Sequence, residues 1–266
     1  MQNKNTTVIT FQNPQPKSGK TTLTVNIAVT MSQVFGKKIL VIDATPEMEA
    51  SEFFGKATYK HLMNFYDCFK NNKNIKDYIN STQYSNIDIV YGSPAIDRIN
   101  TQLLPGMYLK EMKLESISAE LIDEGIYDYI FWDCNSNLDL FNAIVLDIFN
   151  NVIIPISPQK YALEDIKTII KTTAEVKNTS PELSILGIVY VDWQLINRPS
   201  YTKKESILNA YPNITFQNSI LCDDQLQTAN SNYQSVYDID PKAASQDSFT
   251  KLCREIIKKT SMESNK

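Results

Sequence analysis

Short, almost uninterrupted apolar runs alternate along this chain with longer segments in which apolar residues recur every three or four positions. The runs Val8–Phe11, Lys38–Asp43, Ile87–Tyr91, Tyr129–Asp133, Asn151–Ile156 and Leu186–Val191 predict strands. Several are apolar nearly throughout, as strands of a parallel sheet covered on both faces must be. Between them the spacing predicts helices over Thr21–Phe35, Lys60–Lys70, Tyr108–Glu124, Ala162–Lys177 and Ser245–Lys259, with Gly36 and Gly125 placed as C-terminal caps. Strand–helix alternation with short links predicts an α/β fold: a doubly wound, mostly parallel sheet flanked by helices. Ligands in such sheets sit beyond the carboxyl ends of the strands, so the chemistry is expected just after Phe11, Asp43 and Asp133. No linker or repeat divides residues 1–266, which read as a single domain. The polar stretch Trp193–Lys204 and the tail at about 260–266 read as its mobile parts.

Composition narrows the function classes. The chain has 266 residues and a formal net charge of −4, so bulk charge does not announce nucleic-acid binding, and any such surface is a local patch. Cys68, Cys134, Cys222 and Cys253 form no C-x-x-C pair and read as reduced, buried and cytoplasmic. No apolar run approaches the 18 residues of a membrane span, and the amino-terminus carries no apolar signal region. One histidine, His61, excludes a multi-histidine metal site and argues against a histidine-based triad.

The chemistry lies at Gly19-Lys20-Thr21-Thr22, between a strand and a helix. A phosphate-binding loop reads G-x-x-x-x-G-K-[ST] in that context. Lys20 would meet the β- and γ-phosphates, Thr21 would give its hydroxyl to Mg²⁺, and Thr22 would lie near the α-phosphate, with backbone N–H groups completing the anion site. Asp133 ends its apolar strand as a Walker B carboxylate does, and Asp43 ends another in the same way.

These segments, with Val25-Asn26-Ile27-Ala28, Lys37–Pro46, Tyr127–Asp133, Val152–Pro158, Tyr161–Glu164, Leu186–Val189 and Tyr237–Lys242, resemble in order the motifs of the ParA/MinD family of deviant Walker P-loop ATPases, closest to plasmid-partition proteins. The resemblance covers roughly residues 6–260. It implies an ATP-dependent dimerisation switch, a homodimer that binds nonspecific DNA and is released when a centromere-binding adaptor stimulates hydrolysis. It assigns Gln15, Lys17, Ser18, Gly19, Lys20, Thr21 and Thr22 to the nucleotide, Thr21 and Asp133 to Mg²⁺, Asp43 and Lys20 to catalysis, and Asp192 to the base.

The loop departs from the family's K-G-G-x-G-K-T-T. Gln15 stands where the signature lysine belongs, and Pro16 and Lys17 replace two glycines. Thr45, Glu47 and Cys134–Asn137 replace further motif residues. Proline offers neither positive φ nor an N–H, and a neutral amide cannot offset charge in phosphoryl transfer. The expectation is weakened binding and hydrolysis of ATP. Lys203, Lys204, Lys251, Arg254, Lys258 and Lys259 form a candidate patch for DNA phosphates, set against a solvated helix face paired with Glu255. A nucleotide-independent scaffold that positions a conjugation or other cellular assembly is the alternative. An iron–sulfur reductase would need bridging cysteine pairs, which Cys134 alone does not supply.

Overall fold

The computed structural model describes residues 6–55, 63–103, 114, 119, 121–122, 124–136, 140–149, 151–157, 163–179, 184–192, 198–240 and 242–263. Eight strands form one sheet: β1 (Thr7–Phe11), β2 (Ile39–Ala44), β3 (Asn80–Ser81), β4 (Ile87–Val90), β5 (Tyr129–Cys134), β6 (Asn151–Ile156), β7 (Ser184–Asp192) and β8 (Ile220–Leu221). Their order is β3-β4-β2-β5-β1-β6-β7-β8. Every pairing is parallel except β3 with β4 at one edge. The six longer strands are those the apolar runs predict. Strand β1 lies near the centre, and the order reverses on either side of it, the topology that opens a crevice at the carboxyl ends.

Alternation along each strand sorts the side chains into two faces. Ile9, Phe11, Val41, Phe131, Ile153, Val189 and Val191 pack beneath α1 (Lys20–Phe35), α2 (Glu49–Phe54) and the carboxyl-terminal helix. On the opposite face Val8, Leu40, Ile42, Ile130 and Trp132 meet α3 (Phe65–Asn71) and α5 (Leu140–Ile148), with α4 (Arg98–Leu103) beside them. Val152, Ile154, Ile156, Ile188 and Tyr190 lie against α6 (Leu163–Thr179) and α7 (Arg198–Ala210). The remaining helices are α8 (Asp224–Ser231), α9 (Val236–Ile239) and α10 (Ala244–Glu263).

Helix α1 is buried from Leu23 through Ser32 because it has the sheet on one side and α10 and α2 on others. It ends at Gly36, whose φ of 62° lets its N–H reach the carbonyls of Met31 and Ser32. Gly125 likewise has a φ of 59°. The stretch Trp193–Lys204, read as mobile, instead enters α7 from Arg198, with residues 193–197 outside the described set. Residues 260–263, read as tail, continue α10, because Thr260 is buried and its hydroxyl bonds Tyr129 Oη at 3.0 Å. Most of the helix expected over Tyr108–Glu124, together with His61, lies outside the described residues.

Candidate functional site

The loop between β1 and α1 supplies the site's floor. Gly19, the N-cap of α1, sits at φ 95° and gives the helix no side-chain cap. The first N–H groups of a helix have no acceptor within it, and here Lys20, Thr21 and Thr22, the first residues of α1, line a cleft of about 460 Å³. Lys17, in place of a glycine, itself takes a left-handed φ of 55°, and Gly19 follows two residues later. Turns of this type draw successive N–H groups into an anion-binding concavity. Pro16 lines the cleft and brings no N–H to it, whereas Pro14 falls on the approach limb outside the lining. That limb is tied down: Asn13 Oδ1 accepts the N–H of Gln15 at 2.8 Å, and Asn13 Nδ2 donates to Pro155 O at 2.7 Å.

Lys20 is 7% exposed and its ammonium is fully engaged. It donates to Asn13 O at 3.1 Å, Gln15 O at 3.3 Å, Ser18 Oγ at 3.4 Å and Ser136 Oγ at 3.0 Å. Burial lowers its pKa, and the negative charge of Asp133 opposes that fall. Thr21 Oγ1 donates to Asp133 Oδ2 at 2.8 Å, and Thr24 Oγ1 to Asp133 Oδ1 at 3.3 Å. Asp133 and Asp43 are direct partners across β5 and β2, both wholly buried. Burial first, and then the neighbouring Asp43 charge, push the Asp133 carboxyl up to about 8. Asp43 is also raised by burial, against four hydrogen bonds from Thr45 and Ser51 that favour its charged form.

The strand ends after Phe11, Asp43 and Asp133 do converge: the cleft is lined by loop residues Pro16–Thr22, by Thr45, Glu47 and Glu49 after β2, and by Cys134, Asn135 and Ser136 after β5. Asp43 and Asp133 lie beneath this lining, Asp133 joined to it through Thr21. Gln15 is exposed in front of the loop, where its carbonyl holds Lys20. Asp192 closes β7 opposite Leu221 of β8, next to Val191, whose methyl would lie 3.5 Å from a Cβ placed on Gly19; its own side chain is outside the described set.

The basic residues do not form one free patch. Lys251 pairs with Asp247 at 2.6 Å, Lys204 donates to Ser219 Oγ, and Lys259 donates to Leu186 O while lying over the Phe216 ring at 4.5 Å. Arg254 and Lys258 are exposed on α10; the side chain of Lys203 is outside the described set. Glu255, expected to pair with those lysines, accepts instead from the N–H groups of Gln217 and Asn218 and from Asn218 Nδ2. Among the described residues no helix is long and apolar enough to cross a membrane.

The site contains residues that sequence patterns did not mark. Asn13 and Ser51 act through contacts set by tertiary structure, and no spacing signals them; Ser136 was visible only as a departure from a motif. Asn26, visible only as a motif letter, donates to Thr22 O at 3.0 Å and accepts from Val236 N at 3.1 Å, joining the loop helix to α9.

A central strand, a left-handed turn, an uncapped buried helix and a lysine beside a threonine–aspartate pair are the arrangement of a P-loop protein of the doubly wound type. Residues 6–185 match the family model AAA_31, described as an AAA domain, and the chain belongs to that family, within the ParA/MinD group of P-loop ATPases. It is 25% identical over 250 residues to the chromosome-partitioning ATPase Soj of Treponema pallidum, covering 94% of this chain and 96% of that protein. The fold is similar to that of Cyanothece McdA, solved as an ATP complex, with a TM-score of 0.80 at 15% identity over 97% of each chain. It is also similar to the septum site-determining protein MinD of Pyrococcus horikoshii, solved with Mg-ADP, with a TM-score of 0.76 at 21% identity over 97% of this chain and 98% of that one.

Proposed function

We propose that this chain is a ParA-like switch for DNA partition that binds ATP with Mg²⁺ and hydrolyses it slowly. One observation carries the binding half: Lys20 and the first residues of the uncapped helix α1 line one cleft, with the Thr21 hydroxyl 2.8 Å from buried Asp133. The residues fit the group. Mg²⁺ is commonly held by one or two carboxylates together with substrate phosphates rather than by an all-protein cage. Among the described residues no cluster of three or more acidic, histidine or cysteine side chains forms such a cage. Bound ATP–Mg²⁺ supplies the transferable phosphoryl group and the cation that holds its oxygens. Lys20 and the N–H groups of Lys17–Thr22 bind and orient the phosphates, while Thr21 and Asp133 hold the metal side. Ser136, Asn13 and Gln15 keep the Lys20 ammonium within the loop.

Slow turnover follows from Gln15, which is neutral where charge would be needed to stabilise phosphoryl transfer, a contribution of about 3 kcal/mol or more when one such donor is lost. The similarity to partition proteins over nearly the whole chain supports a dimer that works on DNA through an adaptor protein, with Arg254 and Lys258 as its exposed cations. The scaffold reading draws on the same neutral Gln15.

Titration with a fluorescent ATP analogue, with and without Mg²⁺, tests the binding half, and sedimentation in ATP against ADP tests the switch. The expected result is Mg²⁺-enhanced binding lost in Lys20→Ala and an ATP-linked dimer. Binding that ignores Lys20, or none at millimolar nucleotide, would sink the reading; nucleotide-blind dimerisation would favour the scaffold.

A further inference from the structure

The cleft carries more negative charge than an anion site needs. Two cations line it, Lys17 and Lys20, and so do two carboxylates, Glu47 and Glu49, with Asp43 and Asp133 buried beneath. Carboxyl groups therefore outnumber ammonium groups two to one before any ligand enters. The turn after β2 places the glutamates. Pro46 and Met48 are half-buried, whereas Glu47 and Glu49 are exposed. Met48 packs against the core that α1 and α2 cover, and it takes a left-handed φ of 59°, which residues with a bulky side chain seldom adopt. Its N–H is held by Thr45 Oγ1 at 3.1 Å, and its carbonyl accepts the Glu52 N–H at 2.9 Å. With Met48 turned inward, the residues on either side of it line the cleft.

Both glutamates act on the lysine of the loop. Burial lowers the Lys20 pKa, and the charges that oppose the fall are those of Asp133, Cys134, Glu47 and Glu49, in that order. Glu49 also adds to the rise at Asp133, behind burial and the Asp43 charge. The pair thus stands toward the end of the cleft where Lys20, Thr21 and Asp133 meet, the metal side of the proposed site.

We infer that Glu47 and Glu49 are specificity-determining residues, which make the cleft favour nucleotide accompanied by a divalent cation over free polyphosphate; this rests on the proposed nucleotide site. Free polyphosphate brings only negative charge, and two further carboxylates in the wall of a partly desolvated cleft oppose its entry. The same carboxylates attract a divalent cation bound to the phosphate oxygens, so the repulsion is offset for the complex. Because both side chains stay open to solvent, salt screens the effect.

The test measures affinity for a fluorescent ATP analogue in EDTA and in Mg²⁺, with inorganic tripolyphosphate as competitor. It compares the parent with Glu47→Gln, Glu49→Gln and both together. Glu124→Gln is the control: it removes a carboxylate paired with Lys76 ahead of the amino end of β5, outside the cleft lining. The cleft side chains are exposed, so Tm should shift by less than about 2 °C. In EDTA the double variant should bind the analogue and tripolyphosphate about tenfold more tightly than the parent, each single variant accounting for part of the gain. In Mg²⁺ the gain should stay below about threefold, and in EDTA it should shrink as NaCl rises. Glu124→Gln should leave affinity in both media within about twofold of the parent. No gain in EDTA, or an equal gain in both media, overturns the inference, while binding in Mg²⁺ that depends on Lys20 leaves the nucleotide site standing. A parent that binds in neither medium defeats the nucleotide site and this inference together. Should Glu49→Gln lower Tm further, as the first residue of α2, the same comparison in Glu47→Gln decides.

Discussion

Replacing Asn26 by alanine tests how the phosphate loop's helix is tied to the carboxyl-terminal third. Asn26 is 0% exposed and lies under two turns into α1. Its Oδ1 accepts the N–H of Val236 at 3.1 Å and the hydroxyl of Ser235 at 3.4 Å, and its Nδ2 donates to Thr22 O at 3.0 Å. Val236 opens α9, so its N–H is among those a helix cannot satisfy internally. Alanine strands that buried donor. The Thr22 carbonyl keeps its place in the α-helical ladder, and Ser235 keeps its bond to the Tyr237 N–H at 3.2 Å. One orphaned buried N–H costs about 1–3 kcal/mol, and the small cavity adds a fraction more. At about 2–4 °C per kcal/mol for a domain of this size, Tm should fall by roughly 4–8 °C. Differential scanning calorimetry reads it directly. Because the N–H groups of Lys20–Thr22 are untouched, nucleotide affinity should change less than about threefold. A Tm within about 1 °C of the parent would refute the assigned bond.

Three further outcomes follow from the same geometry. Gln15→Lys places a cation on an exposed side chain whose backbone stays held by Asn13 and Lys20, so stability should move by less than about 0.5 kcal/mol while steady-state ATP turnover rises at least about tenfold; an unchanged rate would show that charge in front of the loop is not what limits it. Gly19→Ala meets nothing closer than Val191 Cγ2 at 3.5 Å, so its loss, about 1–2 kcal/mol in denaturant unfolding, should come from φ 95° alone; a cost near zero would mean that the turn is not left-handed in solution. Arg254→Glu with Lys258→Glu should weaken retention on random duplex DNA and flatten its salt dependence by roughly two phosphate contacts, whereas Lys251→Ala, which removes a cation already paired with Asp247, should do much less.

The sequence made the sheet's long strands legible because burial on both faces demands continuous apolar runs, and Tyr129–Cys134 or Asn151–Ile156 could hardly be anything else. The two-residue strands Asn80–Ser81 and Ile220–Leu221 exist only by pairing with β4 and β7, so no local pattern could reveal them. Helix Leu140–Ile148 was hidden differently: it is apolar almost all round and lacks the polar face that periodicity needs. At the site, Lys20, Thr21 and Asp133 were legible from motif and strand context. The partners that orient them were not, since Ser136 reaches Lys20 across 116 residues and Asn13 works through Pro155, 142 residues away.

What the phosphate loop needs at its glycine positions is a conformation and not an identity. Lys17 adopts φ 55° without being glycine, at a cost of about 1–2 kcal/mol relative to a right-handed residue. The surroundings can hold that strain. Pro14 and Pro16 have φ fixed near about −65° before the loop folds, which lowers the entropy lost on ordering it. Asn13 closes a turn on the Gln15 N–H, and Lys20 bonds the carbonyls of Asn13 and Gln15 from inside. A glycine-rich front limb reaches the same shape by permissiveness; this one is preset by proline, an asparagine side chain and Lys20. The substitutions that look like decay in a motif therefore fall into two kinds. Those at positions 14, 16 and 17 rebuild the turn by other means, at the cost of one N–H at Pro16 in the cleft lining, and keep the backbone donors from Lys17 onward. Gln15 removes the charge from its own position while Lys17 adds one at another place in the lining, so turnover, rather than binding, is where this loop should differ from a glycine-rich one.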